Sequence, residues 1–161
     1  MKLTKRRKIS VKAVKKVRYQ VKQALVKRAG IKNYRPTLAE AQSWFRILNK
    51  GLFDNRLHLP PMELRQLTDC LGQCFCIWDA RKIKAVNKRA LPVDQLPHSG
   101  ITFKIELRKR HKTWKDFIET LAHEMVHLYQ MTIDQDIYSN HNANFYRWRN
   151  KFNRLGLVLC Y

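Results

Sequence analysis

Between Thr113 and Leu128 the chain repeats apolar residues at helical spacing (Trp114, Phe117, Ile118, Leu121, Met125, Leu128), and the same stretch contains the run His123-Glu124-Met125-Val126-His127. Apolar spacing of this kind predicts a helix with one buried face. Thr113 and Asp116 have the spacing of a capping box, which sets where that helix begins. Residues four apart on a helix lie one above the other on the same face. His123 and His127 therefore present two imidazoles one turn apart, the bite that a single zinc ion needs. Glu124 lies beside such an ion without being forced to ligate it. From there it can take a proton from zinc-bound water and later return it to a leaving amine, which is the chemistry of peptide hydrolysis. At this chain's own His and Glu frequencies, the pattern arises by chance in about one such chain in a hundred.

A catalytic zinc takes three protein ligands. No Glu follows Glu124, and no Gly and His follow shortly after His127, so two common sources of the third donor are missing. Asp134, Asp136 and His141 remain. His141 is favoured, with Asp134 or Asp136 as the alternative. It stands at the start of a helix expected from about Asn142 to Arg154, after a connection long enough to turn back to the metal. Phe145, Trp148, Phe152 and Leu155 would face inward on that helix, and Gly156 would close it. Tyr138, three residues before His141, is the candidate donor to an oxyanion.

Upstream, Thr37 and Glu40 predict a second capping box. It opens a helix with Leu38, Ala41, Trp44, Phe45 and Leu48 inward and Gly51 at its end. Residues 52–67 read as strand and turn broken by Pro60 and Pro61, and residues 71–78 as a strand. Residues 80–100 read as an exposed loop. Residues 101–107 alternate, with Ile101, Phe103, Ile105 and Leu107 on one face and Thr102, Lys104 and Glu106 on the other. Cys74 and Cys76 share a face of their strand. With Cys70 they are expected to be reduced, buried thiols rather than a second zinc site.

Charge divides the chain near Pro36. The net charge is +21, and residues 1–35 hold 14 of the 33 Lys and Arg with no acid. Val11, Val14, Val17, Val21, Ala24 and Leu25 recur there at helical spacing, so a cationic amphipathic helix is expected. Its stripe lacks Trp and Phe, which favours docking on the domain or on nucleic acid over insertion in a membrane. The candidate contacts are Lys5, Arg6, Arg7, Lys8, Lys12, Lys15 and Lys16. Arg108, Lys109, Arg110 and Lys112 form a second cluster before the His123 helix, the first three of them candidate contacts. Cations are unfavourable at a helix N-terminus, so helix stability does not explain them. No secretory signal or apolar run of membrane length is present. The expectation is a soluble intracellular protein, in the cytoplasm or nucleoid, or in the nucleus of a eukaryote.

Residues 116–127 (DFIETLAHEMVH) resemble the SprT-like zinc metalloprotease family, which includes the Spartan proteases. The helix before LFDNRL, the cysteine-bearing strand, the ITFKIELRKR strand, and His141 with Phe145 occur in the family's order. The resemblance spans about residues 38–156. It implies an α+β, zincin-like domain over residues 36–161, its active helix packed on a small, mainly antiparallel sheet, preceded by a basic helical extension over 1–35. It further implies one catalytic Zn2+ on His123, His127 and His141, with Glu124 as the base. The implied activity is endopeptidase cleavage of DNA-associated or DNA-crosslinked proteins, so DNA and DNA-bound proteins are the expected partners. Asn142 replaces the family's usual Gly, and a domain without the C-terminal zinc ribbon of many members is expected. The competing expectation is a DNA-binding or packaging protein with a structural zinc and no proteolysis. An RNA-directed partner is a third.

Overall fold

The computed structural model describes residues 11–78, 101–136 and 138–159, with Trp78 and Ile101 described by backbone alone. Lys5, Arg6, Arg7, Lys8, the expected loop over 80–100 and Cys160 lie outside these residues. The described elements are α1 (Val11–Lys27), β1 (Lys32–Tyr34), α2 (Leu38–Leu52), β2 (Met62–Arg65), β3 (Gly72–Trp78), β4 (Ile101–Arg108), β5 (His111–Thr113), α3 (Trp114–Thr132), α4 (Ala143–Tyr146) and α5 (Arg149–Leu155). The class is α+β. Among the described residues, no helix is long and apolar enough to cross a membrane.

The expected mainly antiparallel sheet is instead two small sheets, the larger of them mixed. β4 lies between β2 and β3, parallel to β2 and antiparallel to β3. β2 and β3 run in opposite directions, so a strand placed between them must be parallel to one. β1 and β5 form an antiparallel pair with Tyr34 opposite His111. At three residues each, these strands are too short to show an alternation.

The core forms where α3 crosses the larger sheet. Ile105 and Leu107 of β4 are buried with Met62 of β2 and with Phe117, Leu121, Met125 and Leu128 of α3. Val17 and Val21 of α1 join this core through α2. Gly51 does not end α2. The helix runs one residue further, and Gly51 is where α1 presses against it: a Cβ there would collide with the Val17 side chain. Only half of the Thr37 capping box forms. Thr37 Oγ1 accepts from the Glu40 N–H, but the Glu40 carboxylate turns to Arg28 at 2.6 Å.

Glu106, on the polar face of β4 as its alternation predicts, is only 1% exposed. Lys104 and Arg65 each pair with its Oε1 at 3.0 Å, and the Gln73 amide donates to its Oε2 at 2.7 Å. Burial, the largest single influence, pushes this carboxyl up; the hydrogen bonds from Lys104, Gln73 and Arg65 together outweigh it and hold the group at about 2, below its ordinary 4.5. A lowered folded-state value stabilises the fold above the unfolded value, and that contribution is lost as pH falls toward the folded value. We expect Glu106→Gln to lower stability at pH 7. The gap to wild type should close as pH falls from 4.5 toward 2, as read by urea unfolding across that window.

Candidate metal centre

α3 carries the first two histidines. Its start is fixed by a complete capping box: Thr113 Oγ1 accepts from the Asp116 N–H, and Asp116 Oδ2 accepts from the Thr113 N–H, both at 3.1 Å. His123 and His127 project on one face of this helix. The segment after it folds back and brings His141 to them. The three Nε2 atoms form an equilateral triangle with 3.1 Å sides. At the usual zinc–imidazole distance of about 2.0–2.1 Å, nitrogens this close together could all bind one ion. Among the described residues, these three are the group of His, Cys, Asp or Glu able to hold a metal ion.

The protonation pattern agrees. Asn142 Oδ1 caps α4 by accepting the N–H groups of Asn144 and Phe145, so this atom is an oxygen. The Gln130 amide nitrogen donates to it at 3.3 Å and to the Asn140 carbonyl at 2.9 Å, which orients the Gln130 side chain. Gln130 Oε1 is then left facing His127 Nδ1 at 3.2 Å. An amide oxygen only accepts, so Nδ1 carries the proton and His127 Nε2 turns its lone pair to the other two rings. Burial, followed by the neighbouring His141, lowers the affinity of His127 for a second proton, and the neutral form is the one that ligates. Lone pairs converging at this distance repel one another unless a cation lies between them. The donor set therefore fits zinc.

Two further groups build this geometry, Gln130, unremarked in the sequence, and Phe145. Fully buried Gln130 ties α3 to the residues on either side of His141. A Gln three residues after a metal-ligand His shares its helix face, which is the available signal. Phe145, read as a core residue, is the floor: its ring centroid lies 4.9, 4.8 and 4.5 Å from those of His123, His127 and His141. We expect Gln130→Leu to weaken zinc binding by about 10–100-fold, the usual cost of losing a partner behind a ligand. Competition with a chromophoric chelator would measure it.

Glu124 is 5% exposed, and burial pushes its carboxyl up to about 8, opposed by the Cys74 backbone N–H. Gly72 makes room for it: a Cβ there would meet Thr120 Cγ2 at 2.8 Å and Glu124 Cγ at 3.0 Å. Glu124 and His123 line a 380 Å³ cavity with Cys70, Gly72 and Thr120.

The alternative ligands are engaged elsewhere. Asp134 pairs with Arg147 at 2.6 Å. Asp136 accepts from the Tyr138 and Ser139 N–H groups and the Asn142 amide. Tyr138 is 79% exposed. Cys70, Cys74 and Cys76 are free thiols, and burial raises the pKa of each. Lys12, Lys15 and Lys16 are exposed on α1. Lys109 and Arg110 are exposed where β4 turns into β5, and Arg108 is half-buried. The helix expected over 142–154 is broken into α4 and α5. Arg147 and Trp148 occupy the joint, which lets Phe145 face the histidines while Phe152 and Leu155 enter the core. Gly156 closes α5 in the left-handed conformation, at φ 81°.

The model of the SprT-like family matches residues 2–158. No curated protein and no solved structure matches the chain.

Proposed function

The chain belongs to the SprT-like family, and from that premise we propose that it is a zinc-dependent endopeptidase acting on DNA-associated or DNA-crosslinked proteins. The observation that carries the catalytic part is a buried carboxylate, Glu124, next to three imidazoles whose Nε2 atoms converge at 3.1 Å. A site that only braced the fold would have no use for that carboxylate. When bound, zinc supplies Lewis acidity, acidifying water and polarising the scissile carbonyl.

The rest of the chemistry belongs to the chain. His123, His127 and His141 hold the metal, and Gln130 keeps the His127 tautomer. Glu124 takes the proton of the attacking water and passes it to the leaving amine nitrogen. Its raised pKa and a neighbouring dication act in opposite directions, which suits a group that takes and returns a proton near neutral pH. Among the described residues β3 is an edge strand, and it runs beside Glu124, so an extended peptide can lie along it through backbone hydrogen bonds. Tyr138, on the segment leading to His141, is the proposed oxyanion donor.

The DNA part rests on the family and on a net charge of +21. Lys12, Lys15, Lys16, Lys109 and Arg110 are solvent-facing cations able to meet phosphates. The test is cleavage of a basic DNA-bound protein by the zinc-loaded chain, with and without single-stranded DNA. We expect cleavage that DNA accelerates and that weakens as salt rises. Zinc-dependent folding with DNA binding and no cleavage would instead make the metal structural.

A further inference from the structure

Across α3 from the histidines lies a second cavity, of 480 Å³, lined by Arg56, Tyr129, Asp134, Arg147, Trp148 and Lys151 among others. Tyr129 follows His127 by two residues, so on a helix the two side chains point to nearly opposite faces. Three cations meet one carboxylate here. The Arg56 guanidinium lies 5.3 Å from the Tyr129 ring centroid and donates to the Tyr129 hydroxyl. The Arg147 guanidinium lies 5.7 Å from the ring centroids of both Tyr129 and Trp148, and Lys151 Nζ is 4.5 Å from that of Trp148. Arg147 pairs with Asp134, which leaves two positive charges unbalanced among the lining residues.

Three like charges around one cavity repel one another, and covering two aromatic rings does not require three. The rings hold the cations in place, so little conformational freedom is lost when an anion arrives. We propose that this cavity binds the phosphodiester backbone of a nucleic-acid strand, with Arg56, Arg147 and Lys151 as the phosphate contacts. The proposal rests on the nucleic-acid part of the function above. A cavity of 480 Å³ has room for more than a bare phosphate group, and a chain of net charge +21 attracts polyanions.

Asp134 makes the site testable by sign. It is the one acid among the described lining residues, so Asp134→Asn should tighten binding of a labelled 15-nucleotide oligothymidylate several-fold at low salt. A merely structural role for the Asp134–Arg147 pair predicts unchanged or weaker binding. The combined Arg56→Gln/Arg147→Gln/Lys151→Gln chain should show a plot of log affinity against log salt that is shallower by about 2, at roughly 0.7 per contact on a single strand. Fluorescence anisotropy on the full chain reads both. If wild type binds the oligonucleotide but the triple variant keeps its slope and Asp134→Asn does not tighten binding, the proposal falls alone. If wild type does not bind the oligonucleotide at all, the nucleic-acid part of the proposed function falls with it.

Discussion

Glu124→Gln is expected to keep one zinc per chain and to lose about 10²–10⁴-fold in peptide cleavage, the usual contribution of a positioned proton-transfer group. Glutamine keeps the size of the side chain and an oxygen to accept the Cys74 N–H, so the helix and the β3 contact should survive. What it cannot do is take a proton. The carboxylate is nearly buried, so bulk solvent is a poor substitute for it. Metal analysis beside kcat separates the two consequences. Zinc unchanged with kcat reduced marks Glu124 as the base, whereas zinc lost with activity would make it a structural support of the site.

The second large effect concerns His141, whose part as third donor competed with Asp134 and Asp136. His141→Ala leaves two imidazoles on one helix and removes a donor that stands 3.1 Å from both. The zinc affinity should fall by more than the roughly hundredfold that marks loss of a supporting contact. Asp134→Asn and Asp136→Asn should keep zinc at wild-type stoichiometry, because these carboxylates are occupied by Arg147 and by the turn that leads to His141. Isothermal titration of the three variants with zinc separates the possibilities. Retained affinity in His141→Ala with loss in either Asp variant would reverse the assignment.

Local signals carried the site and local signals also misled. The Thr113–Asp116 box, the apolar stripe of α3 and the spacing of His123 and His127 are short-range features, and the structure keeps all three. Thr37–Glu40 has the same form, yet Arg28 draws Glu40 away, which no neighbouring residue announces. The alternation of β4 placed Glu106 with the polar residues correctly. Alternation does not report that Lys104, Arg65 and Gln73 close over it.

Gly51 and Gly72 read as punctuation or strand positions, but each is a point of close approach between elements distant in sequence. The parallel pairing of β2 with β4 and the β1–β5 pair are likewise long-range facts. Gln130 was legible in principle, from its place one turn after His127. Its partners at Asn140 and Asn142 appear only when the chain turns back.

The most direct test of a zinc-dependent peptidase is reconstitution. The chain is stripped with a chelator, and cleavage of an unfolded basic protein is followed as zinc is returned. Activity should be absent in the stripped protein, rise linearly with zinc, and level off at about one ion per chain, as expected of a single three-histidine site. Cleavage that persists in zinc-free protein, or a chain that binds one zinc and cleaves nothing with DNA present, would contradict the account.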